Sequence, residues 1–369
     1  MTVRSTAPAA IIDRVSVSAY KIPTSSPEAD GTYAWDSTTI VFVETAAGGE
    51  TGIGYTYADA ATARLIQDSL VPVICGKSAL DIAASWTAMV QAIRNLGRPG
   101  IASMAIAAVD SALWDLKARL LGLPLVSLLG AARVSVPIYG SGGFTSYSIE
   151  QLREQLGGWA ASGISRVKMK IGSHAANDVD RVRAAREAIG TAAELFVDAN
   201  GAYDRKQALA QAERFAEWGV SWFEEPVSSD DLEGLRLLRD RAPAGMDIAA
   251  GEYGYDLPYF RRMLATGAVD VLQADATRCA GITGFMKAAS LAEAFGLELS
   301  SHCAPALHLH ICAAIADLRH MEYFHDHIRI EQMLFDGVVS PIAGRLAPDL
   351  SRPGMGLELK AAAVAKWKL

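Results

Sequence analysis

Cysteine is scarce in this chain: residues 75, 279, 303 and 312 are the only four among 369. Their irregular spacing supplies no disulfide framework and fits a reducing compartment. No apolar stretch reaches the length needed to cross a bilayer. Met1 to Ile12 is short, weakly polar and without a sustained apolar centre. No secretory leader is expected there, and a cytoplasmic location is. An excess of basic charge is lacking too, since 34 Lys and Arg face 41 Asp and Glu for a net charge of −7. With no basic stripe, nucleic acid and membrane surfaces drop out as expected partners. Low-complexity segments are also missing.

What remains is an ordinary globular composition, 51% hydrophobic and 20% charged. The length suits about two domains. Within it, three carboxylates each close a short apolar run: Glu-Leu-Phe-Val-Asp198, Val-Ser-Trp-Phe-Glu224 and Asp-Ile-Ala-Ala-Gly-Glu252. A carboxylate ending a strand is commonly just the N-cap of the next helix. Here the spacing is roughly 25–30 residues, the length of one strand–helix unit in a parallel barrel. A barrel gathers strand C-termini around one mouth, so the three acids should converge. Converging carboxylates repel unless a hard divalent cation sits between them, which points to magnesium.

The period continues both ways. Ser165-Arg-Val-Lys168-Met-Lys170 alternates as a strand, placing Lys168 and Lys170 on one face. Downstream lie strands leading to Asp275, His302 and Glu322, and Val136-Pro-Ile-Tyr-Gly supplies a first strand. Segments such as 180–189 and 205–218 carry apolar residues at helical spacing. Eight strands alternating with helices predict an α/β fold, a TIM-type (β/α) barrel over residues 131–338, with an open doubly wound sheet as the alternative. Residues 1–130 read differently. Strands at 15–21, 38–44 and 51–57 form a meander, with 22–36 expected as a loop, and helices follow at 60–73, 81–94 and 100–121. That is an α+β domain, strands first and helices after, which the resemblance below makes a capping domain. Residues 339–369, rich in Pro and Gly around 351–356, are expected to return to it.

These residues resemble the enolase superfamily and, within it, the mandelate racemase subgroup, which also contains muconate lactonizing enzyme. The resemblance spans nearly the whole chain. Ala102 to Arg119, followed by Gly122-Leu-Pro and Leu128-Leu-Gly, is similar to the helix that ends the family's capping domain. Asp198, Glu224 and Glu252 fall where that family holds its magnesium, and Lys168-Met-Lys170 matches its Lys-x-Lys motif, in which the second lysine is a general base. Asp275 and His302 match the His–Asp dyad, and Glu322 the eighth-strand glutamate. Ala280 stands where the family commonly has glycine. The resemblance implies a modified (β/α)7β barrel, a homo-oligomer, a small carboxylate substrate and, in particular, dehydration of an acid sugar in carbohydrate acid catabolism. Racemisation or epimerisation of a 2-hydroxy acid and lactone cycloisomerisation use the same machinery and remain alternatives.

The chemistry asks for such a set. Removing a proton α to a carboxylate leaves an enediolate with two negative charges on one small group, which a metal at the three acids can neutralise. Lys170 must lose its proton to act as a base, and a second cation at Lys168 together with the metal disfavours its charged form. His302, across the mouth, reaches the opposite face of the carbon, oriented by Asp275. Glu322 could hydrogen-bond the enediolate in its protonated form, which requires a raised pKa. Glu225 is expected as a supporting or solvent-facing group, and Asn200 as a support for Asp198 or a helix cap. Tyr33, Trp35, Tyr55 and Tyr57 shape the substrate pocket or pack between domains. The His308-x-His310 and His325-x-His327 pairs, near Cys303 and Cys312, lack the spacing of a structural zinc site. A zinc hydrolase would want His-x-His ending the first strand, where Tyr139-Gly-Ser-Gly-Gly stands. A catalytically inert barrel would have lost a base or a ligand, and none is lost.

Overall fold

The computed structural model describes residues 10–369. The chain opens with three antiparallel strands, β1 (Ile12–Ala29), β2 (Ala34–Ala47) and β3 (Glu50–Tyr57). The expected loop at 22–36 is therefore mostly strand, and β1 and β2 run on into a long hairpin. Pairing slips between Pro23 and Glu28, where two prolines interrupt the donors, and then resumes at Glu28↔Trp35. Asp30 closes the tip by accepting from Thr32 N at 2.6 Å and Tyr33 N at 2.7 Å, a local turn that Asp favours. Gly31 at that tip lies against the barrel. A Cβ there would sit 2.3 Å from the Ala199 carbonyl oxygen and 2.7 Å from that of Ile171.

A helical run over 61–74, widened by a π-type turn at Ile66–Leu70, and a helix at Ile82–Ala92 lead to the long helix Ile101–Leu120. That helix buries residues all round and lies directly on β3. Alternate strand positions Gly52 and Gly54 leave room for it, since a Cβ at either would come within 2.3 Å of its backbone. Its Asp115 carboxylate is a buried junction. Oδ2 accepts from Ile53 N at 2.9 Å and from Arg119 Nε at 2.7 Å, while Oδ1 accepts from Met355 N at 2.6 Å. One side chain thereby ties helix, sheet and C-terminal segment together. That segment also pairs Gly354 with Leu123 and Leu125, and Leu369 N donates to Ala19 O.

The rest of the chain alternates. Strands β4 (Val136–Gly142), β5 (Arg166–Lys170), β6 (Glu194–Asp198), β7 (Val220–Glu224), β8 (Asp247–Ala250), β9 (Val271–Ala274), β10 (Leu299–Ser301) and β11 (Leu318–Phe324) are each followed by a helix. They pair in parallel in chain order, and β11 pairs with β4 through Met321↔Ile138 to Phe324↔Ser141. That closure makes the sheet a barrel and rules out the open arrangement. Tyr139, Phe196, Trp222, Ala249 and Val271 fill its interior, the packed layer that a closed eight-stranded barrel requires. Asp204 and Asp256 cap their helices by accepting backbone N–H groups, so the cap after β6 is Asp204 and not Asn200.

Ala280 adopts φ +65° just before the helix Gly281–Ala294, a left-handed position that glycine takes without steric cost. Its carbonyl accepts from Trp86 Nε1 of the capping helices at 2.9 Å. Among the described residues, no helix is long and apolar enough to cross a membrane.

Asp115→Ala should leave Arg119 Nε and two buried backbone N–H groups without an acceptor and destabilise the protein by about 3–5 kcal/mol, as breaking a buried ion pair does. Urea unfolding monitored by tryptophan fluorescence reads this loss.

Candidate active site

All the acids and bases singled out above meet at one end of the barrel. Strand register does the first part of the work. Lys170 pairs with Asp198, and Asp198 with Glu224, across β5, β6 and β7. Glu252 stands just past β8, Asp275 just past β9 and His302 just past β10, while Glu322 lies within β11. Every one of these side chains is buried. Oxygens of Asp198, Glu224 and Glu252 lie within 4.8 Å of one another.

Burying that much negative charge requires compensation. Lys168 Nζ reaches Glu224 Oε1 at 2.5 Å, Glu322 Oε1 at 2.9 Å and Asp198 Oδ2 at 3.6 Å. Lys170 hydrogen-bonds Asp198 Oδ2. His302 spans Asp275, 2.8 Å from Nδ1 to Oδ2, and Glu252, 3.1 Å from Nε2 to Oε2. Arg278 Nη1 lies 3.2 Å from Glu252 Oε1. The carboxylate oxygens form a hard donor set with two lysines and a histidine around it, which suits magnesium by number and type of ligand. Burial and the neighbouring Asp198 carboxylate push Glu224 up to about 8. Such mutual repulsion is what a cation placed between them would relieve.

The ion pairs of the site bear on two further protonation states. Burial works most strongly against the Lys170 ammonium, but Asp198 together with Glu252 and Glu224 raises its pKa. The lysine is thus charged when the acids are its partners, and Lys168 does not reverse this. Glu322 is shifted the other way. Burial opposes its ionisation most strongly, yet Lys168 together with His302 and Lys170 lowers its pKa. Its Oε2 accepts from Cys303 N at 2.7 Å, so it is an ionised acceptor here. Burial likewise opposes the His302 imidazolium, while Cys303 and Glu252 raise its pKa above the usual range.

Several neighbours escaped the reading of the sequence. Trp222 Nε1 and Gln273 Nε2 both donate to Glu224 Oε2 at 2.9 Å and fix its rotamer. Trp222 could have been found, because it shares a strand face with Glu224; Gln273 and Arg278 carry no comparable signal. Cys303 also stands at the site, its Sγ 3.3 Å from His302 Nε2. Glu225 is buried rather than solvent-facing, in a left-handed conformation. Asn200 supports Asp198 through its backbone N, 2.9 Å from Oδ1. Three further histidines bind backbone. His308, His310 and His327 accept from the N–H groups of Ala276, Val126 and Ala304.

The site opens into a cavity of about 460 Å³ under the β1–β2 hairpin. Lys170, Glu252, Asp275 and His302 form its floor, while Asp30, Thr32, Ser37, Thr38, Thr39 and Asp59 supply polar walls. Tyr33, Trp35 and Tyr57 line it from strand or hairpin positions. Tyr55 does not; its hydroxyl donates to buried Glu331 at 2.7 Å.

A closed parallel barrel with acids on successive strand ends, two strand lysines and a His–Asp pair defines a metal-assisted acid–base enzyme beneath a capping domain. The mandelate racemase / muconate lactonizing enzyme N-terminal domain family matches residues 15–130, and the enolase C-terminal domain-like family matches 151–363. The chain belongs to the mandelate racemase/muconate lactonizing enzyme family of the enolase superfamily, and it is an enzyme of that magnesium-using group. A mandelate racemase/muconate lactonizing enzyme-like protein from Rubrobacter xylanophilus superposes with a TM-score of 0.95 at 55% identity, covering 97% of this chain and 100% of that one. L-talarate/galactarate dehydratase from Salmonella typhimurium LT2, liganded with Mg and L-lyxarohydroxamate, superposes with a TM-score of 0.90 at 30% identity, covering 100% and 96%. The 3,6-anhydro-alpha-L-galactonate cycloisomerase of Streptomyces coelicolor is 34% identical over 361 residues, 95% of this chain and 97% of the relative.

Behind the site, burial raises Glu331 to about 8. An unfolded glutamate ionises near about 4.3, so the folded protein holds a proton that the unfolded chain has lost. The resulting stability is complete below the unfolded pKa and disappears as pH rises through about 8. Glu331→Gln should flatten this fall, as denaturant midpoints compared between about pH 5 and 8 will show.

Proposed function

We propose that the protein dehydrates an acid sugar by removing the proton α to its carboxylate, with Asp198, Glu224 and Glu252 holding magnesium. The observation that carries this reading is the placement of Lys170 and His302 on opposite sides of the acid cluster. Lys170 touches Asp198 and His302 touches Glu252, from strands well separated around the barrel. When bound, the metal supplies the positive charge that an enediolate requires.

The remaining work falls to side chains. Lys168, fixed between Glu224 and Glu322, orients the substrate carboxylate. Lys170 takes the α-proton once Asp198, Glu224 and Glu252 are engaged elsewhere, because burial and Lys168 then favour the neutral amine. His302, held through Nδ1 by Asp275, gives a proton to the departing β-hydroxyl. The C–H and C–O bonds break, water leaves, and the enol becomes a 2-keto-3-deoxy acid. Glu322 orients the strand end around His302 as an acceptor. The hydroxyl and carboxylate groups of the cavity wall suit a polyol chain. A homo-oligomer acting on this small molecule, with no nucleic-acid partner, completes the proposal.

A second reading has its own support. The near-complete coverage of a cycloisomerase relative favours opening of a cyclic sugar acid on the same bases. Incubating the magnesium-loaded protein with mono- and diacid sugars separates the two. A 2-keto-3-deoxy product selects dehydration, an isomeric acid selects cycloisomerisation, and an inverted α-centre without keto product selects epimerisation. Absence of all three on a broad acid-sugar panel overturns the proposed substrate class.

Glu224→Gln should abolish turnover and magnesium binding by calorimetry while the circular dichroism spectrum persists. Trp222→Phe, which removes one hydrogen bond to that ligand, should weaken magnesium affinity about 10–100-fold. Full activity in excess chelator would refute the metal assignment. Lys170→Ala should lose both turnover and α-proton exchange in deuterium oxide. His302→Asn should retain exchange and lose product, by on the order of 10²–10⁴ in rate.

A further inference from the structure

Cys303 is the one thiol at the site, and the mechanism above does not use it. It follows β10 directly, and both Cys303 and Ala304 take left-handed backbone conformations, φ +52° and +41°. Non-glycine residues pay for that conformation, so the surrounding structure must hold it. Its consequence is to turn Sγ back toward the mouth, 3.3 Å from His302 Nε2. Glu322 Oε2 accepts from the Cys303 backbone N at 2.7 Å and lies 3.9 Å from the same ring nitrogen. One imidazole nitrogen, one sulfur and one carboxylate oxygen thus sit within 4.8 Å of each other, all buried. His302 and Cys303 both face the cavity, so the group is reachable from solvent.

We propose that His302 Nε2, Cys303 Sγ and Glu322 form a second cation site, selective for thiophilic divalent metals such as zinc, beside the magnesium site. Geometry and ligand chemistry agree on this. Zn–S near 2.3 Å and Zn–N near 2.0–2.1 Å at a tetrahedral angle put the two ligand atoms roughly 3.6 Å apart, close to the separation here. Asp275 holds Nδ1 at 2.8 Å, the carboxylate–histidine support that metal-bound imidazoles use to present the other nitrogen. Sulfur and imidazole reject magnesium and favour zinc, cobalt or cadmium, so the two sites differ in ligand type. Glu252, 3.1 Å from His302 Nε2, would leave that nitrogen free on turning to a cation shared with Asp198 and Glu224. On coordination the Cys303 thiol gives its proton to solvent, no electron is transferred, and the fourth position stays open. A metal here occupies the nitrogen that donates to the leaving group, so zinc inhibits turnover. That consequence rests on the role proposed for His302; the binding itself does not.

The test uses the full chain carrying Cys75→Ser, which removes the exposed thiol, saturated with magnesium and titrated with cobalt(II). One equivalent should bind with a thiolate-to-cobalt charge-transfer absorption and tetrahedral visible bands. Adding Cys303→Ser should abolish the charge-transfer absorption and weaken zinc binding at least tenfold, and His302→Asn should weaken it likewise. Zinc K-edge absorption of the Cys75→Ser protein needs no variant at the site and should show one sulfur among nitrogen and oxygen neighbours. A sulfur-free zinc shell, or equal zinc affinity with and without Cys303→Ser, overturns the site. If zinc binds as described yet turnover is unchanged, the metal site stands and the assignment of His302 as acid falls.

Discussion

The structure depends on burying like charges together. Asp198, Glu224 and Glu252 place carboxylate oxygens within 4.8 Å of one another, away from water. Such a cluster is tolerable only with positive charge among it, and the chain provides Lys168, Lys170, Arg278 and the ring of His302. Every one of those cations leans on an acid. A bound metal would displace some of these pairings, so the same contacts that stabilise the metal-free site mark which groups become available on metal binding.

The barrel serves that cluster by geometry and the cap serves it by enclosure. Parallel register brings Lys170, Asp198 and Glu224 side by side, while the filled interior of Tyr139, Phe196 and Trp222 gives the mouth a rigid floor. Trp222 belongs to both, packing below and donating to Glu224 above. The hairpin of β1 and β2 roofs the cavity, with Trp35 edge-on to Phe144 and hydrogen-bonded to Glu28. Gly31 brings its tip against the turns after β5 and β6. Cap and barrel are further locked by Asp110, whose carboxylate accepts from the backbone N and hydroxyl of Thr283.

Much of this was legible because it is periodic. Strand ends recur at barrel spacing, so Asp198, Glu224, Glu252, Asp275 and His302 announce themselves in order. Less legible were features set by contacts distant in sequence. Residues 22–36 carry two prolines and many polar groups, the composition of a loop, yet the hairpin is held there by the barrel beneath it. Glu322 has the right spacing, but its charge is set by burial and by Lys168, 2.9 Å away in space and a whole barrel away in the chain.

The sequence by itself determined the alternation of strand and helix, the order of the acids and bases, and the family to which they belong, because hydrophobic periodicity and motif spacing are local properties. Only the tertiary structure decided which groups touch. Closure of β11 on β4 sets Glu322 beside Lys168, and two left-handed residues after β10 turn Cys303 toward His302. Charge states followed from those contacts. A pKa depends on burial and on neighbours within a few ångströms, and neither is written in the order of residues along the chain.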